Sequence, residues 1–220
     1  MGSKFFRATD ARWKSTQLTR VARLHQTLGL LFQMNSAMQL VWPSREYLPS
    51  YVSALERGWS PNNLRPEAAQ EELAAIRADA SGFLDGLVDR EAKGAPVALP
   101  DGTTVPRLPG YRRWMWDGEF CGSIGLRWQP GTNRLPDYCL GHIGYGVVPW
   151  KSGRGYATQA LGALLLDAAS QGLTYVEITT SPDNFASQKV IRTNGGVLVE
   201  EFNKRPELGG SPELRFRVDI

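Results

Sequence analysis

Apolar residues recur at two different periods along the chain, and the two periods predict strands and helices. Short apolar or alternating runs bounded by turn residues are typical of strands, whereas apolar residues at i, i+3, i+4 and i+7 are typical of one helical face. The predicted strands cover residues 38–42, 112–116, 119–128, 138–148, 173–180, 197–203 and 214–219, with a short hairpin at 97–105. Predicted helices cover 44–58, 66–88 with a break at Ser81-Gly82, 156–169, and a segment that opens at Asn184 and stops at Gly195.

A glycine-rich junction joins the predicted strand 138–148 to the predicted helix 156–169, and it reads Gly153-Arg154-Gly155-Tyr156-Ala157. Glycine allows the backbone to approach a ligand closely, and the first turn of a helix offers unpaired N–H groups and the positive end of the helix dipole. The junction is therefore a candidate anion site. Phosphate is the expected anion.

Spacing separates three kinds of phosphate loop that could occupy this junction. A dinucleotide loop needs a third glycine where the chain has Thr158, and a Walker A loop needs Gly-Lys-Ser/Thr, which the sequence lacks. The remaining pattern is V-x-P-x-x-[R/Q]-x-x-G-x-[G/A]. It is read here from Val147, Pro149, Ser152, Gly155 and Ala157, and Ser152 departs from it.

The downstream sequence adds a second motif, in which Asn184-x-Ala-Ser is followed by an apolar pair and Asn-Gly-Gly. Together the two motifs resemble the cofactor site of the GNAT superfamily of N-acetyltransferases. The resemblance runs from about residue 39 to 220, is closest over 111–200, and is greatest to a bacterial group of predicted acetyltransferases. It implies an α/β (α+β) fold with a mixed central sheet of about seven strands, splayed at the fourth strand, and helices on both faces.

The resemblance also implies which residues hold acetyl-CoA, the expected acyl donor. Backbone amides of the glycine loop and the Thr158 hydroxyl would surround the pyrophosphate, the backbone of Val147 would hold the pantetheine arm, and Tyr145 or Gly146 would contact the thioester oxygen. The expected cofactor-binding residues are Tyr145, Gly146, Val147, Val148, Ser152, Gly153, Arg154, Gly155, Tyr156, Ala157, Thr158, Asn184 and Ser187. Gly144 and Gly146 predict a bulge at Tyr145 that would open the strand, with close packing as the alternative.

Three side chains are candidates for proton transfer: His142, Ser187 and Glu177. Many family members carry a tyrosine seven residues after the Asn184 position, where this chain has Ile191, so Ser187 is the nearest hydroxyl; its alternative role is to cap the helix. The unperturbed pKa of histidine, ~6.5, suits a base near neutrality, and a structural histidine is the alternative for His142. Glu177 lies in mid-strand, where a carboxylate must be paired or face the cleft.

Two further expectations concern charge and the acceptor. Ser152 stands where the family usually has Arg or Gln, and Lys151 or Arg154 could supply the lost positive charge. Four aromatic residues could either line the site of the acceptor amine or belong to the hydrophobic core. They are Trp42, Tyr51, Trp59 and Trp114.

Composition narrows the class of protein. The chain has 220 residues and a net charge of +3, to which the segment before Asn35 contributes +5 and the remainder about −2. The body is therefore not basic, which argues against a nucleic-acid partner, and no apolar run has the ~20 residues of a membrane span. Residues 1–34 are interpreted as a basic extension and 35–220 as one domain of a cytoplasmic protein. With two cysteines and two histidines, a zinc site is not expected. Pairing Trp128 with Tyr138 on neighbouring antiparallel strands would place Cys121 near Tyr145, several residues from Cys139, so a disulfide is not expected either.

The sequence thus favours an acetyl-CoA-dependent N-acetyltransferase that moves an acetyl group to a primary amine, of a small molecule or a protein N-terminus, by direct transfer in a ternary complex without a metal. A homodimer stays open. One alternative is a catalytically weak acyl-CoA-binding module of the same fold. A second is a nucleotide-binding α/β protein that uses the same turn.

Overall fold

The computed structural model describes residues 38–62, 65–99 and 101–220, so the predicted extension 1–34 lies outside the described residues. Residues 38–220 form one compact unit. The helices are α1 (Leu48–Glu56), α2 (Ala68–Ala78), α3 (Ala80–Gly86), α4 (Tyr156–Ser170) and α5 (Phe185–Thr193). The strands are β1 (Gln39–Val41), β2 (Val88–Asp89), β3 (Val97–Ala98), β4 (Thr104–Val105), β5 (Gly110–Trp116), β6 (Phe120–Arg127), β7 (Ile143–Val147), β8 (Tyr175–Thr180), β9 (Val197–Asn203) and β10 (Pro212–Asp219).

The predicted helix over 66–88 is broken, but at Asp79 rather than at Ser81-Gly82. Asp79 has extended backbone angles, φ −154° and ψ 93°, and its side chain accepts a hydrogen bond from the Ser81 amide. It therefore ends α2 and caps α3, as acidic residues commonly do at a helix N-terminus.

The strands form two main sheets whose ladders are all antiparallel. The first has the order β1-β5-β6-β7, with β2 also on β5, and the second has the order β8-β10-β9. The α/β (α+β) fold class is as predicted, but the central sheet is not the mixed one that was expected: every ladder among the described strands is antiparallel, because β7 and β8 are not hydrogen-bonded to each other and divide the strands between two sheets. This division is the splay that the sequence resemblance implies.

The pairing of β6 with β7 differs from the sequence expectation. We expected a strand from residue 138, with Trp128 opposite Tyr138, whereas the structure pairs Leu126 with Ile143 and Gly122 with Val147. Residues 138–141 lie outside the strand, so the register is moved by three positions. Both cysteines are free, as expected.

Helices cover both faces of the first sheet because side chains alternate along β5. Tyr111 and Met115 face a core that contains Leu161 and Leu164 of α4, whereas Trp114 faces a second core under α1 and α2. All five side chains are almost fully buried. The first of these cores fixes α4, and with it the glycine junction, against one face of the sheet.

Candidate functional site

The glycine junction is an exposed loop between β7 and α4. A short 3₁₀ turn, Pro149–Lys151, follows β7, and α4 starts directly after Gly155. Gly153 and Gly155 both have φ of +77°, in the left-handed region that favours glycine. A Cβ at Gly153 would meet nothing within 4 Å, and one at Gly155 only Gln159 Nε2 at 3.8 Å. The glycines are therefore required by backbone conformation, and the space beside them is open.

The helix that follows has no side-chain cap. Gly155 occupies its N-cap position without a side-chain hydrogen bond, and the first helical hydrogen bond runs from the Gln159 amide to the Gly155 carbonyl at 3.1 Å. The N–H groups of the first turn are consequently available to an anion, which the helix dipole also favours. Ser152 and Arg154 are exposed in the same loop, and Tyr156, Ala157 and Thr158 are half-buried.

Lys151 does not supply the charge that Ser152 lacks, because it is engaged elsewhere. Its side chain is 6% exposed, and Nζ lies 2.5 Å from Asp117 Oδ1 and 2.7 Å from Glu119 Oε1. Burial would lower the pKa of Lys151, but the hydrogen bonds that its ammonium group donates to these carboxylates outweigh burial, and the pKa is raised. Of the two expected replacements, Arg154 is the exposed one, and its side chain interacts with the Tyr156 hydroxyl at the end of the loop.

The predicted bulge at Tyr145 is wrong, since β7 pairs with β6 without interruption from Ile143 to Val147. Instead, β6 and β7 approach each other closely at Gly122 of β6, a residue that the sequence did not indicate. Gly122 has φ of +150°, and a Cβ there would lie 2.2 Å from the Gly146 carbonyl oxygen and 2.8 Å from the Val147 Cα. At Gly144 a Cβ would meet Arg127 Nη2 at 3.2 Å, so this glycine serves packing.

The hydrogen-bond register decides which β7 groups face away from β6. The Arg127 amide donates to the His142 carbonyl at 2.9 Å, and the Val148 amide donates to the Cys121 carbonyl at 2.9 Å. Alternation in an antiparallel ladder then directs the N–H and C=O groups of Tyr145 and Val147 to the opposite edge, where β7 has no further partner among the described strands. Gly146 and Val148 point to β6, so their backbone N–H groups do not face the open edge.

His142, directly before β7, connects this strand to Glu177 of β8 by hydrogen bonds. It is fully buried, its amide donates to the Glu177 carbonyl at 2.7 Å, and its Nδ1 accepts a hydrogen bond from the Glu177 amide at 2.9 Å. Burial lowers the pKa of His142, which favours the neutral ring; the nearby Glu177 charge and the backbone of Asn133 oppose this only in part. The imidazole thus takes the place of a strand partner, which supports the structural alternative over proton removal from an acceptor.

Glu177 is likewise paired. Its carboxylate accepts a hydrogen bond from Arg217 Nη2 at 2.8 Å and lies 3.8 Å from Arg215 Nε, and its side chain is 16% exposed. The two guanidinium groups stand beside it on β10, so the carboxylate balances charge within the second sheet. This arrangement again supports the structural alternative.

Ser187 lies where α5 meets the open edge of β7. Asn184 caps α5, because its side chain accepts a hydrogen bond from the Ser187 amide at 3.0 Å. The Tyr145 hydroxyl crosses from β7 and donates to the Ser187 carbonyl at 3.3 Å. Ser187 is half-buried, and Ile191, at the position of the family tyrosine, is fully buried in the core. The structure therefore brings Tyr145, Asn184 and Ser187 together and leaves His142 and Glu177 apart from them.

The aromatic residues considered as acceptor walls are mostly core. Tyr51 and Trp114 are fully buried and stacked with ring centroids 4.5 Å apart, and Trp59 is 5% exposed. Trp42 is 41% exposed but lies under Arg113, whose guanidinium carbon is 4.2 Å from its ring centroid. These residues stabilise the first sheet and its helices.

Residues 38–62, 65–99 and 101–220 contain no group of three or more side chains placed to hold a metal ion. No helix within those same ranges is long and apolar enough to cross a membrane.

Comparison with known proteins bears on the same region. A family model described as an acetyltransferase (GNAT) domain matches residues 51–197, which include β5 to β8, the glycine loop and α5. No curated protein matches the chain. A solved ribosomal L7/L12 α-N-protein acetyltransferase in complex with coenzyme A is similar, with 16% identity, a TM-score of 0.56, and coverage of 84% of this chain and 95% of that chain.

Two further solved structures share the fold. The acetyltransferase from Salmonella typhimurium that modifies the N-terminal serine of 50S ribosomal subunit protein L7/L12 has 16% identity and a TM-score of 0.56, covering 84% of this chain and 96% of its own. The microcin C7 self-immunity acetyltransferase, in complex with acetyl-CoA and AMP, has 14% identity and a TM-score of 0.52, covering 83% and 92%. At these identities the likeness establishes the fold alone.

Proposed function

Because the chain belongs to the GNAT family of acetyltransferases, whose model matches residues 51–197, we propose that it moves an acetyl group from acetyl-CoA to a primary amine by direct transfer in a ternary complex. The acceptor is the amine of a small molecule or of a protein N-terminus. The cytoplasmic location and the homodimer stay predictions from the sequence.

The observation that carries the proposal is the pairing of an open anion loop with an open strand edge. Gly153 and Gly155 hold left-handed conformations in front of the uncapped α4, so backbone N–H groups are free to surround a pyrophosphate. At the end of β7, just before the turn that leads into this loop, the N–H and C=O groups of Val147 and Tyr145 face away from β6 and can bind the amides of a pantetheine arm. A molecule with a pyrophosphate at one end and an extended amide chain at the other matches both.

The same geometry supports a proposal for the thioester end of the site. Because Tyr145 presents its backbone to the open edge and Gly146 does not, the Tyr145 amide is the proposed donor to the thioester oxygen, where negative charge develops during attack by the amine. Ser187 is the proposed proton donor to the departing thiolate, since it is half-buried beside Tyr145 and next to the Asn184 cap. The Tyr145 hydroxyl lies in the same place, and burial raises its pKa, so it stays protonated at neutral pH.

The proposed transfer does not use His142 or Glu177 as the general base. His142 Nδ1 and the Glu177 carboxylate are paired within the protein, and His142 Nε2 is buried, so we propose that these two side chains shape the site rather than accept the amine proton. An acceptor that enters as the neutral amine needs only a route for the proton to solvent after attack.

A thermal-shift experiment tests the proposal. A ligand that binds only the folded state stabilises it by RT ln(1 + [L]/Kd), about 2.7 kcal/mol at a concentration of 100 Kd. We expect acetyl-CoA to raise the melting temperature and ATP and NAD to leave it unchanged. Stabilisation by ATP or NAD but not by acetyl-CoA would identify a nucleotide-binding protein and reject the proposal.

A turnover assay then separates the enzyme from the binding module. Release of free CoA in the presence of one member of a broad amine panel is expected of the enzyme. Tight binding of acetyl-CoA without turnover on amines of every class in the panel favours the catalytically weak module, for which Ser152 and Ile191 are the motivating departures from the family pattern.

A further inference from the structure

One carboxylate, that of Asp117, contacts the chain on both sides of the glycine loop. Asp117 lies in the turn between β5 and β6. Its Oδ1 lies 2.5 Å from Lys151 Nζ, and its Oδ2 accepts a hydrogen bond of 2.6 Å from the Tyr156 hydroxyl. Lys151 directly precedes the loop 152–155 and Tyr156 directly follows it. The two oxygens therefore hold the two ends of the loop at one point.

The contacts are made away from solvent. The side chains of Lys151 and Asp117 are 6% and 8% exposed, and Glu119, 56% exposed, adds a second carboxylate at 2.7 Å from Lys151 Nζ. Burial would raise the pKa of Asp117, but hydrogen bonds from Lys151 and Tyr156 outweigh it and the pKa is lowered. The carboxylate is thus ionised at neutral pH, and removing one partner of such a pair is costly.

The loop itself has little to hold its shape. Gly153 and Gly155 lack side-chain contacts, and glycine loses more conformational freedom on ordering than any other residue. At the start of the loop, the Ser152 side chain makes one long hydrogen bond, from Oγ to the Val148 carbonyl at 3.4 Å, and the Ser152 amide donates to the Pro149 carbonyl at 3.2 Å. The ends of the loop therefore determine how often its amides point to a common centre.

Resting on the proposed function, we infer that Asp117 is a positioning residue for acyl-donor binding, which acts through Lys151 and Tyr156 to keep the glycine loop in the shape that binds the pyrophosphate. It does not touch the donor. Its charge is balanced by Lys151, so it contributes order rather than attraction for an anion.

Two variants and a matched control test this inference. Asp117→Asn removes the negative charge of the carboxylate. Tyr156→Phe removes the hydrogen bond to Asp117 Oδ2 without changing any charge. Glu213→Gln is the control, because Glu213 pairs with Lys204 at 3.1 Å and the two side chains are 10% and 5% exposed, in the hairpin between β9 and β10. It tests what the loss of a buried pair does elsewhere in the protein.

The measurements compare two ligands that differ at the phosphates. Calorimetry gives the Kd of CoA, and ligand-observed NMR gives the Kd of pantetheine, which lacks the pyrophosphate. We call the contacts of Asp117 with Lys151 and Tyr156 the clamp. If the loop without the clamp adopts its binding conformation about a tenth of the time, the affinity for CoA falls about tenfold. We expect that loss in Asp117→Asn and Tyr156→Phe, with pantetheine binding unchanged and CoA binding unchanged in Glu213→Gln. The double variant should lose little more than either single one.

Several results would overturn the inference. CoA affinity equal to that of the parent in Tyr156→Phe, which keeps the ion pair and serves if Asp117→Asn fails to fold, would show that the clamp is irrelevant. Equal losses for CoA and pantetheine would indicate general damage. Tighter CoA binding in Asp117→Asn would mean that the freed Lys151 charge matters more than order. A parent that fails to bind CoA would reject the proposed function itself.

Discussion

Replacement of Gly155 by glutamate gives the sharpest separation of fold from function. The free protein has room for the new side chain, because a Cβ at Gly155 meets only Gln159 Nε2, at 3.8 Å. The cost to the fold is backbone strain, since φ is +77°, and a left-handed non-glycine residue costs about 1–2 kcal/mol. For a protein of this size, each kcal/mol lowers the melting temperature by about 2–4 °C. We therefore expect Gly155→Glu to fold with a melting temperature a few degrees lower.

The expected loss of acetyl-CoA binding is larger. Two like unit charges about 5 Å apart repel by about 0.8 kcal/mol in water and about 3.3 kcal/mol at the effective dielectric constant of a protein surface. With about 1.4 kcal/mol for each factor of ten, the carboxylate alone weakens binding between about 4-fold and 250-fold. Occlusion of the phosphate position by the side chain adds to this loss.

Two companion variants divide the effect into its causes. Gly155→Gln has nearly the same shape without the charge, so the ratio of its Kd to that of Gly155→Glu isolates repulsion. Gly172→Glu is the control for strain, because Gly172 has φ of +82°, a Cβ there meets nothing within 4 Å, and it lies just beyond the other end of α4. It should lose similar stability and retain the parent's affinity for CoA.

Calorimetric titration with CoA, together with thermal unfolding of each variant, provides the measurement. If Gly155→Glu stays folded and binds CoA as well as Gly172→Glu does, the phosphate loop has been misassigned. The assignments of Tyr145 and Ser187, which depend on the register of that loop, would then be withdrawn as well.

Three further predictions concern single side chains. Burial lowers the pKa of His142 below its unfolded value of about 6.5, so the unfolded chain binds more protons than the folded protein at acidic pH. The free energy of unfolding should therefore fall as the pH drops from about 6.5 to the lower folded pKa. His142→Asn, which can still accept a hydrogen bond from the Glu177 amide, should show a smaller fall in denaturant titrations. Ser187→Ala keeps the backbone amide that Asn184 caps, and it should lower kcat while leaving the Kd of CoA within about threefold; an unchanged kcat would show that the Ser187 hydroxyl has no catalytic role. Burial raises the pKa of Cys121 to about 12, so at pH 8 a thiol reagent should modify only the half-buried Cys139 in the folded protein and both thiols after unfolding; rapid labelling of two thiols in the native state would contradict this.

The parts of the site that are local in sequence could be predicted from the sequence. The junction of β7 and α4 is marked by two glycines in four residues, and the start of α5 by Asn184, whose capping bond reaches only three residues. Local turn chemistry determines both features, so neighbouring residues were sufficient to identify them.

The parts that failed depend on contacts between distant segments. His142 hydrogen-bonds to Glu177, 35 residues away, and β7 therefore begins at Ile143 rather than at Tyr138. The predicted bulge was wrong because the close approach is accommodated on the partner strand, at Gly122. Side-chain period alone indicates that a strand has two faces, but it does not tell which residue of a neighbouring strand lies opposite.

The role of Lys151 illustrates how such distant contacts change a functional assignment. From the sequence, a lysine beside a glycine loop offers a positive charge to a phosphate. In the structure the same lysine is neutralised by Asp117 and Glu119, so its ammonium group restrains the loop instead of contacting a ligand. With Ser152 in place of a longer donor, anion binding then depends on backbone N–H groups and on Arg154. Such a site is only as good as the order of its backbone, because amide donors must converge to be effective. If Asp117 positions the loop as we infer, the contacts of Asp117 with Lys151 and Tyr156 compensate for the missing side-chain donor at Ser152, because they order the backbone amides at both ends of the loop.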